Sequence, residues 1–225
     1  MDGTKLKICG ITNADDMKLV NACGADYAGI LVDVGYSERS LDLQCAQRVA
    51  DACRIQLVVL LCNPTSDFAC EIVERIKPGA IQLLCVEPPD LVADLNAKVP
   101  CQIWKSIHFP APDGQHEPRL YGEAGADALL IDRVDTSEGF VRMGGTGKTV
   151  NWLAASNMVK SLELPVFLSG GIDPNNIADA IAIVRPFGID LCSGVESTKG
   201  KKDPEKLSEL AVNFHGATKL NTEGL

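Results

Sequence analysis

Short runs of apolar residues recur along the chain and alternate with longer stretches that have the mixed polarity of surface helices. The runs are mostly continuous, which is typical of strands buried on both faces of a parallel sheet. Eight such runs are present, and they predict eight strands. The predicted strands span residues 5–9, 27–32, 56–61, 80–84, 102–107, 128–131, 165–168 and 189–192.

Residues that favour helix N-termini open the stretches between these strands, and a Gly or Pro lies near the end of each. Asn13, Asp42 and Ser66 are the predicted N-caps, because their side chains can accept hydrogen bonds from first-turn amides. Two later stretches, DPNNIADAIAIV and DPEKLSELAVNF, have the same pattern. The fifth connection, DGQHEPRLYGEAG, is weakly patterned, so its helix is predicted to be short or degenerate.

Strands that alternate with helices at regular spacing fit a closed (β/α)8 barrel better than an open doubly wound sheet. No low-complexity linker divides the chain. We therefore predict the α/β class and a single-domain (β/α)8 TIM barrel over residues 1–215. The last residues, GATKLNTEGL, are small and polar, so residues 216–225 are predicted to form a flexible C-terminal tail.

The segment GGTGKT, residues 144–149, resembles the end of a phosphate-binding P-loop. That motif, G-x-x-x-x-G-K-[ST], requires a glycine where this chain has Arg142, and a strand that runs directly into the loop. The preceding apolar run ends at Ile131, well before the glycines. A nucleotide hydrolase is thus the weakest alternative, and we interpret the glycines as a lid over the barrel mouth.

Composition and charge exclude several classes of protein. Hydrophobic residues make up 46% and charged residues 23%, as in ordinary globular domains. The net charge of -9 disfavours nucleic acid and anionic membranes, and the short run KGKK at 199–202 is the local exception. No apolar run approaches the roughly 18 residues that would span a bilayer. We expect neither a nucleic acid nor a membrane as a partner.

The nine cysteines and the N-terminus, which lacks an apolar signal region, predict a soluble, cytoplasmic protein in a reducing compartment. No pair of cysteines has C-x-x-C spacing, so we expect neither a zinc site nor a redox site. The cysteines in helical stretches are interpreted as small buried hydrophobic residues.

Active sites of such barrels form at the C-terminal ends of the strands, where this chain carries a cysteine and an aspartate. Cys9 ends the first predicted strand, and Asp132 directly follows the sixth. Burying a lone carboxylate is costly, so we expect Asp132 to lie at the catalytic face, with a turn cap as the alternative. Cys9 and Asp132 together offer the base and the acid of a proton-transfer isomerisation, although buried filler also explains a lone cysteine.

Two glycine-bearing loops, LSGGIDPNN and CSGVES, follow the seventh and eighth predicted strands. Backbone amides in these two loops form a phosphate site in many (β/α)8 barrels. Gly170, Gly171, Ser193 and Gly194 are the predicted phosphate-binding residues, with tight turns as the alternative explanation. A phosphorylated substrate is expected.

Five motifs in order, KICGIT, ALLID, GGTGKTVNW, LSGGIDPNNIADAI and GIDLCSGVESTKGKKDPEKL, resemble those of the phosphoribosylanthranilate isomerases of tryptophan biosynthesis. The resemblance implies a ribulose-phosphate-binding barrel that catalyses an Amadori rearrangement without a metal or an organic cofactor. The substrate would be N-(5'-phosphoribosyl)anthranilate and the product 1-(2-carboxyphenylamino)-1-deoxyribulose 5-phosphate. It also implies that Cys9 is the general base, as a thiolate, and that Asp132 is the general acid.

The resemblance further implies residues that bind the substrate. Arg39, in GYSERSL, matches the arginine that holds the anthranilate carboxylate, a contact suited to a planar guanidinium. Gln82 and Asp190 are the other implied substrate-binding residues. The implied partner is a small phosphorylated sugar amine, and the chain is expected to be a monomer or a homodimer.

Three positions depart from the family's pattern. Glu38 stands where a proline is expected, Ser40 where an aromatic residue is expected, and Leu84 where a histidine is expected. All three belong to the part of the pocket that would face the aryl group. A paralogous isomerase with another N-substituent therefore stays an alternative, as does a non-catalytic phosphosugar-binding barrel.

Overall fold

The computed structural model describes residues 3–109, 111–112, 115–135, 142–143 and 149–223, with the backbone alone at 134–135, 142–143 and 220–223. Across these residues, eight parallel strands alternate with eight α-helices. The strands are β1 (Lys5–Ile8), β2 (Tyr27–Val32), β3 (Gln56–Leu61), β4 (Ala80–Leu83), β5 (Gln102–Phe109), β6 (Ala128–Asp135), β7 (Val166–Leu168) and β8 (Gly188–Leu191). The helices are α1 (Ala14–Ala22), α2 (Leu43–Asp51), α3 (Ser66–Ile76), α4 (Pro89–Asn96), α5 (Pro118–Glu123), α6 (Trp152–Ser161), α7 (Ile177–Val184) and α8 (Pro204–Glu223).

The sheet closes on itself because β1 pairs with both β2 and β8. Lys7 lies opposite Tyr27 on β2 and opposite Asp190 on β8, and each neighbouring pair of strands around the barrel is parallel. The predicted single-domain (β/α)8 barrel is confirmed. Helix α5 has six residues, so the prediction of a short fifth helix is also confirmed.

Two hydrophobic cores hold the barrel together, one between the strands and the helices and one inside the barrel. Inside, the rings of Trp104 and Phe167 stack with centroids 4.7 Å apart, and Tyr27 meets Trp104 edge-on at 5.0 Å. Tyr27 and Trp104 stand near the N-terminal ends of their strands. This aromatic cluster fills the N-terminal end of the barrel interior, so the polar candidate site residues lie towards the C-terminal end.

Helix caps follow the sequence pattern closely. The Asn13 side chain accepts from the amide of Asp16 at 2.8 Å, and the Asp42 side chain accepts from the amide of Cys45 at 2.7 Å, as predicted. The cap of α3 is Thr65, one residue before the predicted Ser66, because Ser66 already belongs to the helix. The N-cap side chains thus predict the first residue of each of these three helices to within one position.

The structure contains elements that the apolar pattern did not predict. Helices α4 and α6 fill the two connections for which no helix was assigned. After β8, a short antiparallel hairpin pairs Glu196–Thr198 with Lys201–Lys202. The segment Arg142–Met143 pairs with the end of β6, but residues 144–148 of the glycine-rich segment lie outside the described residues, so the lid stays a prediction.

Helix α8 continues to Glu223, into the segment that was predicted to form a flexible tail. Ala217 packs against the core between strands and helices, and the Thr218 hydroxyl donates to the carbonyl of Phe214 at 3.1 Å. Small and polar residues extend the helix because one side of it still meets the barrel. A boundary after residue 215 therefore has no counterpart in the backbone, and flexibility of this segment stays a prediction. Among the described helices, none is both long and apolar enough to cross a bilayer.

A disulfide joins Cys62 and Cys85, a pairing that the sequence analysis did not predict. The two residues are 23 positions apart, but they follow the neighbouring strands β3 and β4, and their Cα atoms lie 5.3 Å apart. A test for C-x-x-C spacing cannot detect a pair formed across a sheet. The other seven cysteines are free, and those in or beside helices are half-buried rather than buried, as at Cys23 and Cys45.

Candidate active site

The predicted base and acid both stand at the C-terminal end of the barrel. Cys9 directly follows β1 and its side chain belongs to the core inside the barrel. A methyl group built on Gly170, in the loop after β7, would lie 3.3 Å from Asp132 Oδ1. Asp132 therefore faces the first glycine loop, while Cys9 approaches the site from β1, on the far side of β7 and β8.

The electrostatics of Asp132 suit a proton donor. Burial raises the pKa of this carboxyl to about 7, against an opposing hydrogen bond from the amide of Arg133 at 2.7 Å. The charge of Asp190 adds to the rise, and that of Lys7 opposes it. A carboxyl with a pKa near 7 is substantially protonated at neutral pH, so it can donate a proton there.

The surroundings of Cys9, in contrast, disfavour the thiolate that a general base requires. Burial raises the pKa of its thiol to about 12, and the nearby cations Lys7 and Lys202 reduce that rise only in part. Asp190 and Cys192 push the pKa further upward. At neutral pH the unliganded site therefore holds a thiol, and the thiolate expected from the sequence is a minor species.

Asp190, predicted to bind substrate, forms a buried ion pair with Lys7. The Lys7 Nζ and Asp190 Oδ2 atoms are 2.9 Å apart inside the barrel. Burial is the strongest influence and lowers the pKa of Lys7. The charge and hydrogen bond of Asp190, together with the charges of Cys9 and Cys192, outweigh burial, so the net pKa is raised and the ammonium stays charged. Asp190 Oδ1 has no hydrogen-bond partner within the described part of the chain. The sequence signal for Lys7 was its place two residues before Cys9, on the same strand face.

Gln82, also predicted to bind substrate, is buried inside the barrel on β4. Its Nε2 donates to the Ser106 hydroxyl on β5 at 3.0 Å, which fixes the amide plane. Its Oε1 has no partner among the described residues. A buried acceptor without a donor is costly, so this oxygen is available to a hydroxyl or amine of a ligand.

The two glycine loops lie against each other, as the phosphate prediction requires. Gly170 and Gly171 have φ angles of +91° and +64°, in the left-handed region that favours glycine. A side chain on Gly194 would overlap the carbonyl oxygen of Ile172, so the second loop packs directly on the first. Ser193 opens the short 3₁₀ turn Ser193–Val195 that carries Gly194. Phosphate binding by these residues stays a prediction.

Arg39 is buried and forms two hydrogen bonds with Glu196. Its Nε donates to Glu196 Oε1 at 2.8 Å, and its Nη2 donates to Glu196 Oε2 at 2.7 Å. This side-on pairing orients the guanidinium and leaves Nη1, together with a second Nη2 proton, for another acceptor. Lys202 Nζ also donates to Glu196 Oε1, at 3.2 Å. Glu196 and Lys202 were missed from sequence, where KGKK was considered only as a local basic run in an acidic chain.

Two of the departures from the family's pattern have polar partners of their own. Glu38 pairs with Lys199 at 2.8 Å, and the Ser40 hydroxyl accepts from the amide of Val34 at 2.8 Å. The hydroxyl of Tyr36 lies 3.8 Å from the sulfur of Cys85, in the disulfide that also holds Cys62. Burial raises the pKa of Tyr36 to about 12, with contributions from the charges of Glu87 and Asp132. Leu84, beside the disulfide, packs against the core inside the barrel.

A second buried ion pair lies beside the disulfide. Lys105 Nζ on β5 is 3.0 Å from Glu87 Oε2, and it also donates to the carbonyl of Cys85 at 2.6 Å. Glu87 in turn accepts hydrogen bonds from the amides of Asn63 and Cys85. The pair holds the loops after β3 and β4 in place, and no local pattern in the sequence indicated it.

Known proteins resemble the chain over nearly its full length. The family model of N-(5'phosphoribosyl)anthranilate (PRA) isomerase matches residues 6–213. The N-(5'-phosphoribosyl)anthranilate isomerase of Methanocella arvoryzae is 36% identical over 210 residues, covering 92% of this chain and 96% of that protein.

Solved structures have the same fold. The phosphoribosyl anthranilate isomerase of Thermus thermophilus gives a TM-score of 0.80 at 26% identity, covering 95% of this chain and 99% of that one. A structure of monomers generated from the dimeric Thermotoga maritima enzyme gives 0.77 at 26% identity, covering 95% of this chain and 99% of that one. These likenesses and the match to the family model cover the whole barrel, from β1 to α8, rather than single motifs. The chain therefore belongs to the N-(5'-phosphoribosyl)anthranilate isomerase family of aldose–ketose isomerases.

Proposed function

We propose that this protein catalyses the Amadori rearrangement of N-(5'-phosphoribosyl)anthranilate, with Asp132 as the acid and Cys9 as the base. The observation that carries the proposal is the position of Asp132, a carboxyl with a pKa near 7 that faces the glycine loop after β7. Membership of the family supplies the substrate class. The product is 1-(2-carboxyphenylamino)-1-deoxyribulose 5-phosphate.

The reaction needs one proton donor and one proton acceptor. Asp132 donates a proton to the furanose ring oxygen, the ring bond to C1 breaks as the nitrogen lone pair moves in, and the sugar opens to an iminium ion that keeps its N–H proton. Cys9 then removes the proton from C2, which gives an enolamine. Protonation at C1 and loss of the enol proton yield the ketone, so the atoms balance without a redox cofactor.

The high pKa of Cys9 sets a condition on this mechanism. The reactive form has a protonated Asp132 and an ionised Cys9 at the same time, and this form is scarce when the thiol pKa is about 12. A thiolate of high pKa is strongly basic, which suits removal of a weakly acidic C2 proton. The cations Lys7 and Lys202 lower the cost of forming it.

The remaining predicted residues hold the two ends of the substrate. The 5'-phosphate binds to backbone amides of the loops that contain Gly170–Gly171 and Ser193–Gly194. The anthranilate carboxylate accepts hydrogen bonds from the guanidinium protons of Arg39 that Glu196 leaves free. The unpartnered oxygens Gln82 Oε1 and Asp190 Oδ1 accept from substrate hydroxyl groups.

A second candidate is an isomerase for another N-substituted phosphoribosylamine. It is favoured by the altered aryl side, where Tyr36, Leu84 and the Cys62–Cys85 disulfide lie. A non-catalytic barrel is a weaker alternative, because it gives no reason to raise the pKa of Asp132 at the mouth.

The decisive assay follows the fluorescence of N-(5'-phosphoribosyl)anthranilate during incubation with purified protein. Turnover of this substrate, and weaker turnover of the N-phenyl analogue that lacks the carboxylate, are expected because Arg39 would bind the carboxylate. Equal turnover of both compounds would contradict recognition of the anthranilate carboxylate and favour the second candidate. No turnover, alongside binding of a phosphosugar, would favour the non-catalytic barrel.

A further inference from the structure

Lys202 stands beneath the site as a fully buried cation, and the proposed mechanism so far uses only its charge. Its side chain is 0% exposed, and Nζ donates to the carbonyl of Cys9 at 2.6 Å and to that of Cys192 at 3.2 Å. These carbonyls lie just past the C-terminal ends of β1 and β8. One ammonium group therefore joins the two strand ends that carry the candidate base and the second phosphate loop.

The lysine is itself held firmly. Its backbone amide donates to Asp16 Oδ2 in α1 at 2.8 Å, and its strand pairs with Glu196–Thr198 in the hairpin after β8. Lys202 is thus anchored by α1 and by the hairpin before its ammonium reaches Cys9. Because Lys202 is held by other elements, its ammonium group can fix the position of the Cys9 backbone.

The same ammonium also contacts Glu196, the carboxylate that holds the candidate carboxylate-binding residue Arg39. Lys202 Nζ is 3.2 Å from Glu196 Oε1, and Glu196 holds Arg39 by two hydrogen bonds of 2.8 and 2.7 Å. Within this trio of side chains two cations share one carboxylate. The remaining positive charge favours an anion nearby, and the Cys9 thiolate and the substrate carboxylate are two of the anions in the proposed reaction.

We propose that Lys202 is a positioning residue for the isomerisation. Its ammonium group sets the place of the base, through the Cys9 carbonyl, relative to the carboxylate-binding guanidinium, through Glu196. The inference rests on the proposed function, since it assigns Cys9 and Arg39 the roles given above. The inference adds one buried ammonium group, that of Lys202, which connects the position of Cys9 with that of Arg39.

The proposal predicts different kinetic effects for the two members of the network. Lys202→Met keeps the side-chain length but removes the bonds to Cys9, so kcat should fall about 10²-fold, as expected for a displaced catalytic group. Glu196→Gln releases Arg39 but keeps Lys202 on Cys9, so KM should rise about tenfold or more while kcat changes little. Inhibition by inorganic phosphate should be unchanged in Glu196→Gln, because this variant keeps Lys202 on the Cys192 carbonyl before the second phosphate loop.

Lys201→Met is the matched control, because Lys201 is the exposed neighbour in the same hairpin strand. It should keep kcat and KM within about twofold. If Lys202→Met does not fold, Glu196→Gln carries the test. A fall in its kcat as large as the rise in its KM would overturn the proposal. A folded Lys202→Met variant with wild-type kcat would overturn it as well.

Chemical modification separates this proposal from the identity of the substrate. The ratio of Cys9 carboxymethylation by anionic iodoacetate to carbamidomethylation by neutral iodoacetamide reports the local charge, and mass spectrometry of the Cys9 peptide measures it. The ratio should fall in Lys202→Met and rise in Glu196→Gln, whether or not phosphoribosylanthranilate is turned over. A ratio that stays constant in both variants would contradict a positioning cation beside Cys9.

Discussion

The carboxyl of Asp132 combines catalytic use with a cost in stability. Its pKa is about 7 in the folded protein and 3.8 in an unstructured chain, so the folded state resists ionisation. Stability is therefore fully present below about pH 4 and declines as the pH rises through 7, because the unfolded chain releases its proton first. One pKa unit corresponds to about 1.4 kcal/mol, which makes the total cost about 4 kcal/mol.

Asp132→Asn should therefore stabilise the protein at about pH 8 by as much as 3 to 4 kcal/mol, and much less at about pH 4.5. Urea unfolding at both pH values measures the difference. The exposed Asp51→Asn is the control for loss of a surface charge. An equal change at both pH values would mean that the carboxyl is not held neutral by burial.

The pH dependence of kcat/KM tests the unusual protonation states of Asp132 and Cys9. If Asp132 must be protonated with a pKa of about 7 and Cys9 ionised with a pKa of about 12, the active fraction rises tenfold per pH unit up to about 7. Above that it is constant, because loss of the acid and gain of the base cancel. A decline above pH 7 would show that the thiol ionises far more easily than its burial implies.

At the residue scale, the sequence indicated catalytic groups better than the groups that support them. Cys9 and Asp132 were predictable because each ends or follows an apolar run of a strand, near the face where a barrel places its site, although β6 itself continues to Asp135. Lys202 and Glu196 were not, because a charged residue in a polar run looks exposed until the hairpin that buries it is known. Burial of a charge is set by tertiary contacts, which local composition does not record.

At the element scale, the site depends on how closely the two glycine loops pack. Gly194→Ala would force its side chain against the carbonyl oxygen of Ile172, so the loops must separate. Inhibition by inorganic phosphate should weaken about tenfold or more, since amide donors would leave their positions. Gly216→Ala in α8 meets nothing within 4 Å and is the matched control. Equal phosphate inhibition in both variants would contradict a phosphate site in these loops.

The disulfide between the ends of β3 and β4 should add stability. It closes a loop between residues 23 positions apart, for which chain entropy predicts about 3 kcal/mol. Thiol titration of the unfolded chain should find seven free thiols before reduction and nine after it, because Cys62 and Cys85 are paired. Reduction should then lower the Tm, and Cys62→Ser with Cys85→Ser should reproduce the loss. Nine thiols before reduction would contradict the pairing.

Elements were predictable where one local signal was strong. Helices α1 and α2 begin at the predicted caps Asn13 and Asp42, because an N-cap bond is made within four residues. Helix α6 was missed because it lies in the long interval after β6, where the glycine-rich segment dominated the interpretation. The end of α8 was missed because packing against the barrel, rather than composition, extends it to Glu223.

At the scale of the whole molecule, closure of the barrel makes the site. β1 and β8 are distant in sequence and adjacent in space, and their pairing puts Lys7 opposite Asp190 and Cys9 beside Cys192. The number and order of the strands were predictable from continuous apolar runs, because a strand buried on both faces must be apolar throughout. Which interior positions carry charge was not, since that depends on register across strands.

The central claim is that Cys9 and Asp132 act as the base and acid on phosphoribosylanthranilate. The most direct measurement compares kcat/KM for this substrate in the wild type, Cys9→Ala and Asp132→Asn. Cys101→Ala is the control, because it removes a half-buried thiol just before β5, at the opposite end of the barrel. Each active-site variant should lose about 10²–10⁴-fold, and the control should keep wild-type activity. Undiminished turnover in Cys9→Ala or Asp132→Asn, with the protein folded, would contradict the account.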